Sequence, residues 1–213
     1  TTDTLGSRST AIGYAALHNQ NFTTATNTNN TAVGFNAGFA VTTGTLNTLV
    51  GANTGDAITT GFDNVAIGRS ALTTEDTGRK NVAIGSSALE SQNSDADNFN
   101  VAVGFEAGKE VTTGVQNTLI GGLAGDAITT GAQNVAVGYL SLSLETTGSN
   151  NVAIGREALK TSNGGGGNTA VGRTALAALT TGANNVGVGF SALTLNTTGT
   201  ENAAVGKGAL DSN

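Results

Sequence analysis

Hydrophobic and polar positions along this chain recur with a nearly constant 17-residue period. Each period contains a short run of β-branched and small residues that ends in glycine, as in NVAIG at 64–68. Asn stands four places before that glycine, Ile or Val one place before it, and mostly Ala three places after it. Short β-branched runs bounded by turn residues predict strands, and a fixed period predicts a repeat architecture.

The glycine that ends each run, called here the anchor glycine, marks twelve copies. Nine of the eleven intervals have the same length, as from Gly51 to Gly68, and the two longer ones follow Gly13 and Gly85. Because the repeat occupies almost the whole chain, we predict a single repeat domain over residues 1–213. The anchor glycines are Gly13, Gly34, Gly51, Gly68, Gly85, Gly104, Gly121, Gly138, Gly155, Gly172, Gly189 and Gly206.

A longer, 70-residue period is superimposed on the short one. The segment GDAITTG at 55–61 returns unchanged at 125–131. Most copies are separated by a Thr-Gly pair, and the intervals that lack it hold the loops 18–30, 90–100 and 160–168, all at one phase of the longer period. We interpret blocks of four copies as duplicated units.

The repeat length and composition favour an all-β fold. A 17-residue repeat is too short for the two helices and turn of a helical solenoid, and Gly, Thr and Asn are poor helix formers. We therefore predict a β-solenoid, or β-roll, of twelve 17-residue coils with two short strands per coil. Equivalent residues of successive coils then stack about 4.8 Å apart.

Stacking gives each column of equivalent residues a role. We predict that the Ile/Val column lies inside the coil and that the anchor glycine fits a tight bend. The Asn column is expected at a corner, where each amide can hydrogen-bond its copy in the next coil and form a ladder. The predicted ladder consists of Asn30, Asn47, Asn64, Asn81, Asn100, Asn117, Asn134, Asn151, Asn168, Asn185 and Asn202.

The position two before the anchor glycine suggests a partner chain. This position is Ala in nine copies. Because successive side chains of a strand point to opposite faces, it lies on the face opposite to Ile/Val, and that face is small and apolar. A single thin solenoid cannot bury both sides of a strand. We therefore predict a parallel homotrimer in which this Ala column faces the partner chains.

Composition and charge narrow the classes of function. The formal net charge of −6 disfavours a nucleic-acid partner, and no apolar run approaches the roughly 20 residues that insert into a membrane. The chain has no Cys and a single His, which argues against a metal site and a catalytic triad. We expect no cofactor and no enzymatic activity, since even a polysaccharide depolymerase would need a cluster of acids.

Candidate contact residues lie in one column and in the loops. The residue after the anchor glycine is aromatic or basic in nine copies, which suits stacking on glycan rings. The alternative is that these side chains cover a seam between subunits or shield the Ala column. The variable loops supply Phe22 and Phe99 as further candidate anchors for a receptor. The aromatic members of the column are Tyr14, Phe35, Phe105, Tyr139 and Phe190.

The pattern NVAIGxxAL…TTGxxN resembles the short repeats of phage tail-fibre and tail-fibre-domain proteins. NVAIG and NTAVG are also distantly similar to the head repeats of YadA-type trimeric autotransporter adhesins, whose repeat is shorter than the one in this chain. The resemblance covers almost the whole chain. It implies a trimeric fibre segment, on a virion or a cell surface, that attaches to a host glycan or protein.

Two alternatives stay open. A bacterial trimeric surface adhesin would use the same repeats as a head domain. An ice-binding solenoid belongs to a different class and is suggested by the repeated Thr-Thr pair.

Overall fold

The chain winds into an all-β parallel solenoid of about twelve 17-residue coils, which confirms this part of the prediction. The computed structural model describes residues 5–211. We number the coils 1 to 12 by their anchor glycines, from Gly13 to Gly206. Successive coils stack in sequence order, so each coil contacts its neighbours in the chain.

Each coil contributes one strand of three residues to a twelve-stranded parallel sheet, and the strands pair in register, so that Ala66 lies opposite Ala83. A separate two-stranded parallel sheet pairs β1 with β3. The prediction of two strands in every coil is therefore wrong. The strands are β1 (Gly6–Ser7), β2 (Thr10–Ile12), β3 (Thr26–Asn27), β4 (Thr31–Val33), β5 (Thr48–Val50), β6 (Val65–Ile67), β7 (Val82–Ile84), β8 (Val101–Val103), β9 (Thr118–Ile120), β10 (Val135–Val137), β11 (Val152–Ile154), β12 (Thr169–Val171), β13 (Val186–Val188) and β14 (Ala203–Val205).

Left-handed backbone positions explain why only one side of each coil is a strand. In coil 4, Ser70 and Leu72 have φ of 55° and 53°, and Lys80 has φ of 62°. A strand cannot run through such residues. The column that contains Leu72 holds only Leu or Gly in all twelve coils, because β-branched residues are strongly disfavoured at positive φ.

The turns are nevertheless hydrogen-bonded from coil to coil. The Leu72 N–H donates to the Ala88 carbonyl at 3.0 Å, and the Thr42 N–H donates to the Thr59 carbonyl at 2.9 Å. Backbone groups are thus satisfied around much of the circumference, as buried peptide groups require. The solenoid is held by these bonds as well as by its sheet.

Strand orientation is the reverse of our prediction. Ala66 is fully buried inside the coil, whereas Ile67 is 37% exposed and points outward. The predicted Ala face toward a partner chain is therefore wrong, and so is the predicted interior Ile/Val column. The physical reason is that the facing wall of the coil carries large side chains such as Leu72, also fully buried. Only a small residue fits opposite them in so thin a core.

Packing inside the coils follows the 70-residue period. Coils 2, 3, 6 and 7 have Gly instead of Leu at the fourth position after the anchor glycine. A Cβ at Gly55 would lie 2.8 Å from Leu49 Cδ2 and 2.9 Å from Ile58 Cδ1. The missing side chain thus leaves room for two larger neighbours, and this packing recurs after 70 residues in coils 6 and 7 but not in coils 10 and 11, which have Leu176 and Leu193.

The anchor glycines of coils that have a following coil are required by crowding between coils. A Cβ at Gly121 would lie 2.6 Å from the carbonyl oxygen of Gly138 in the next coil, and φ at Gly121 is +135°. Both the close approach and the backbone conformation exclude other residues.

Candidate functional site

The predicted ladder asparagines line a buried corner of the rod. In regular coils the side-chain Oδ1 accepts the backbone N–H of the next Asn, as from Asn134 to Asn117 at 3.0 Å. The Asn117 Nδ2 donates to the Gly131 carbonyl of the next coil at 3.0 Å. In the coils that have a Thr-Gly turn, this turn thereby supplies the carbonyl that the ladder amide binds, whereas Asn151 binds the Gly165 carbonyl of the Gly-rich loop.

The ladder is interrupted between Asn81 and Asn100. Loop 90–100 has no Thr-Gly pair, and both Oδ1 and Nδ2 of the buried Asn81 have no hydrogen-bond partner within the described residues. The ladder restarts at Asn100, whose Nδ2 donates to the Gln92 side chain and to the Gly114 carbonyl, both at 2.7 Å. The loop therefore separates two continuous ladders.

Loop 90–100 is tied to the coil before it by a buried carboxylate. Glu75 is fully buried and accepts the N–H groups of Gly78 at 2.8 Å and Ser94 at 3.4 Å, and the Asn98 amide at 3.1 Å. Burial raises the pKa of this carboxyl to about 7, although the N–H donors oppose the shift. Glu75 thus orders the loop from inside the rod.

Glu145 holds loop 160–168 in the same way. It accepts the N–H groups of Gly148 and Gly164, both at 2.6 Å, and the Ser162 hydroxyl at 2.8 Å. Sequence reasoning missed both glutamates. The sequence does contain a signal for their burial. Each glutamate stands seven places after its anchor glycine, and the equivalent residues in coils 3 and 7 are the buried Ile58 and Ile128.

Loop 18–30 does not present its aromatic residue. Phe22 is only 6% exposed, so our assignment of it as a receptor anchor is wrong. Burial of an aromatic ring is favourable because it removes apolar surface from water, and this loop is long enough to turn the ring inward. His18 lies in the same loop and stacks on Phe39 with ring centroids 5.3 Å apart.

The outward side of the twelve-stranded sheet forms a continuous surface, called here the outer strand face. It consists of the residues one and three places before each anchor glycine, which are Ile or Val in the first column and Val, Thr or Ala in the second. No residue of this face is charged, and none is fully buried within the chain. The structure therefore presents a half-exposed, mostly β-branched face along all twelve coils.

The residues directly after the anchor glycines form a second surface, called here the flanking column. Tyr14 and Phe35 stack with ring centroids 5.5 Å apart, so consecutive members align along the rod. The Phe190 ring lies between Arg173, whose Cζ is 5.5 Å from the centroid, and Lys207, whose Nζ is 5.9 Å away. The aromatic members that we predicted as contacts are all exposed in the structure: Tyr14, Phe35, Phe105, Tyr139 and Phe190.

Phe99 lies on a charged part of loop 90–100. Its side chain is 49% exposed, and Lys80 Nζ sits 5.0 Å from the ring centroid. Lys80 and Arg79 both pair with Asp97, at 2.5 and 2.7 Å. The hydrogen bond from Lys80 lowers the pKa of Asp97. The ring is thus held on the surface by a small ionic cluster.

Two other kinds of feature are missing from the described part of the chain. Within residues 5–211, no group of three or more His, Cys, Asp or Glu side chains is placed to hold a metal ion. No helix in that range is long and apolar enough to cross a membrane.

Comparison with known proteins gives no relative. No protein-family model matches the chain, and no match is found among curated proteins or among solved structures.

Proposed function

We propose that this chain is a structural and adhesive segment of a parallel homotrimeric fibre, on a virion or a cell surface, that serves attachment to a host cell. The observation that carries the proposal is the outer strand face. Contiguous apolar patches beyond a few hundred Å² are rare on monomers and usually mark interaction sites. The proposal assigns the chain no catalytic role.

The shape of this face favours a second copy of the same chain as its partner. Twelve rows spaced about 4.8 Å apart make a strip roughly 50 Å long and about 7 Å wide between its outer columns. Another copy in parallel orientation has the same row spacing, so its side chains can interdigitate along the whole length. The subunit contact thus moves from the Ala column, our sequence-based assignment, to the outer strand face.

The test is a triple substitution on this face. We expect the parent chain to have a trimer's mass by sedimentation or light scattering, and Ile67→Glu/Ile120→Glu/Ile154→Glu to have a monomer's, because charges cannot be buried unpaired between subunits. The outward side chains leave the core intact, so the far-ultraviolet circular dichroism should be retained.

A matched control places the same three charges on the exposed turns, as Thr43→Glu/Thr113→Glu/Thr181→Glu. This variant should keep the parent's mass. A monomeric parent chain, or an outer-face variant that still forms trimers, would contradict the proposal.

Recognition in this proposal uses surfaces outside the subunit contact. The candidates are the exposed members of the flanking column and Phe99, with a host glycan or protein as partner. Replacing residues 93–99 by the TTGAN segment of 180–184 restores a regular coil and removes Phe99. If this variant binds cells as well as the parent does, loop 90–100 takes no part in recognition.

The bacterial surface adhesin remains an alternative with the same assembly. An ice-binding role is favoured by one observation, an exposed column formed by the second Thr of each Thr-Thr-Gly turn. The first Thr is engaged, since the Thr129 hydroxyl donates to the Thr146 carbonyl at 3.0 Å. A thermal hysteresis assay separates this role from attachment.

A further inference from the structure

The flanking column contains no acidic residue, although Glu106 and Glu157 directly follow two of its members. The chain has 15 acidic and 9 basic residues. The outer strand face and the flanking column together hold 36 positions, and none of them is acidic. Four of the nine basic residues lie in the flanking column, namely Arg69, Arg156, Arg173 and Lys207. The flanking column is therefore positive on a chain that is negative as a whole, which suits an anionic ligand.

Three of the four basic residues of the flanking column lie in the last four coils. Arg156, Arg173 and Lys207 are all exposed and stand in one column with Phe190. Arg156 pairs with Glu157 at 3.1 Å, and its hydrogen bond lowers the pKa of this carboxyl. Arg173 and Lys207 form no ion pair with any described residue, although the charge of Arg173 also helps to lower the pKa of Glu157. Two cations about 10 Å apart are thus available to a ligand.

Phe190 fixes the separation of these two cations. Its ring is placed between Arg173 and Lys207, and the cation–π contacts hold each charge over the aromatic face. A restrained cation loses less side-chain entropy when it binds an anion. Arg also offers paired N–H donors that match a carboxylate.

Two exposed aromatic residues of the flanking column precede the three basic residues of the last four coils along the rod. Phe105 and Tyr139 are 55% and 51% exposed, and the coil between them carries Gly122 at the equivalent position. A Cβ added at Gly122 would be in ordinary contact with Tyr139 Cδ2, at 3.6 Å, so the Tyr139 ring borders the space that the missing side chain leaves. Exposed rings beside a gap offer their faces to the C–H groups of a sugar.

We infer that the flanking column from Phe105 to Lys207 binds a linear acidic polysaccharide lying along the rod, with sugar rings against Phe105 and Tyr139 and carboxylates on Arg173 and Lys207. Carboxylates that recur along a sugar chain can reach Arg173 and Lys207, which stand two coils apart in the column. The role of this site in attachment rests on the proposed function, whereas binding of the polysaccharide to the flanking column does not.

The experiment uses the purified chain and polygalacturonate, with fully methyl-esterified polygalacturonate as the uncharged counterpart. Affinity is measured by titration calorimetry at several salt concentrations. We expect binding of polygalacturonate that weakens with salt, and binding at least tenfold weaker for the ester. Equal affinity for the two polymers would overturn the inference.

Two charge-matched variants locate the site. Arg156→Gln/Arg173→Gln/Lys207→Gln and Arg8→Gln/Lys109→Gln/Lys160→Gln each remove three positive charges, and only the first touches the flanking column. The first should lose at least tenfold in affinity and the second less than about twofold. Equal losses would show that net charge alone governs binding and would overturn the site.

A third pair of measurements tests the saccharide. Phe105→Ala/Tyr139→Ala should weaken polygalacturonate binding about tenfold, because the exposed rings offer their faces to the C–H groups of the sugar. Polyglutamate and single-stranded DNA should bind more weakly than polygalacturonate. Tighter binding of either would show a general polyanion or nucleic-acid site instead. If polygalacturonate binds as expected but the chain is monomeric or fails to attach to cells, the proposed function fails and this site stands.

Discussion

At the scale of single residues, the thin core depends on buried polar groups that the next coil satisfies. Glu75 and Glu145 are fully buried, and each accepts donors from its own turn and from the following loop. A carboxylate without such donors would be very unfavourable there. The loops at 90–100 and 160–168 are therefore ordered from within, although they are the least regular parts of the sequence.

Glu75 predicts a pH-dependent stability. Its folded pKa of about 7 lies above the ordinary value of 4.5, so the folded chain holds this proton more tightly than the unfolded chain does. The free energy of unfolding should fall as pH rises from about 4.5 to about 7, by up to about 3 kcal/mol. Glu75→Gln should remove most of this fall, as measured by urea unfolding across that range.

Two details make the Glu75→Gln test specific. The Asn98 Oδ1 has no partner among the described residues, so the Asn98 amide can turn over and accept a bond from the new Gln side chain. Glu110→Gln, which removes the same charge from an exposed site, controls for net charge. An unchanged pH profile in Glu75→Gln would show that this carboxyl does not titrate in the predicted range.

The ladder gives a second prediction, with its control in the same column. Asn117→Ala leaves the Asn134 N–H and the Gly131 carbonyl without partners, and should cost about 1–3 kcal/mol. Asn81→Ala removes amide atoms that have no partner in the described structure, so its cost should be clearly smaller. Urea midpoints at constant slope measure both, and equal costs would contradict the assigned hydrogen bonds.

At the scale of the coil, side-chain volume is exchanged between positions. Coils with Leu at the fourth position after the anchor glycine have Ala or Gly in the middle of the strand. Coils 3 and 7 show the reverse: they have Gly at that fourth position, and the bulky Leu49 and Leu119 in the middle of the strand. This exchange keeps a narrow interior filled.

A double-mutant cycle tests this exchange in coil 7. A Cβ at Gly125 would lie 2.8 Å from Leu119 Cδ2, so Gly125→Leu should overpack the core. Leu119→Ala should cost about 2–5 kcal/mol by leaving a cavity. The double variant has the combination found in other coils and should cost less than the sum of the single changes. Simple additivity would refute the volume exchange.

At the scale of the whole molecule, each coil is supported only by its neighbours. Twelve strands pair in sequence order, so stability is approximately a sum of coil and interface terms. A lesion in the middle of the rod breaks contacts on two sides, and one in the last coil breaks contacts on one side.

Substitution of one anchor glycine in the middle of the rod and one in the last coil tests this dependence on neighbouring coils. Gly121→Ala places a Cβ 2.6 Å from the Gly138 carbonyl, whereas a Cβ at Gly206 meets nothing closer than Ala209 Cβ at 4.0 Å. Both substitutions strain a positive φ, at a cost of about 1–3 kcal/mol. Gly121→Ala should lower the melting temperature by much more than Gly206→Ala. Similar shifts would show that crowding between coils is not what requires glycine.

The sequence by itself determined the solenoid, its coil length and the column to which each residue belongs. Stacking imposes identical environments on equivalent positions, so Asn134 and Gly121 could be assigned to columns without coordinates. It did not determine which side of the strand faces inward, because Ala66 and Ile67 are both apolar. Thr at five outward positions, such as Thr48 and Thr118, was the available clue, since a hydroxyl is better tolerated on a half-exposed face than in a buried column.

Only the tertiary structure decided that Ala points inward and that Glu75 is buried. The left-handed residues in the turns set the width of the coil, and that width excludes Ile opposite Leu72. The burial of Glu75 depends on donors from Ser94 and Asn98, which lie 19 and 23 residues further along the chain. Such contacts form only when successive coils stack, and no single repeat contains them.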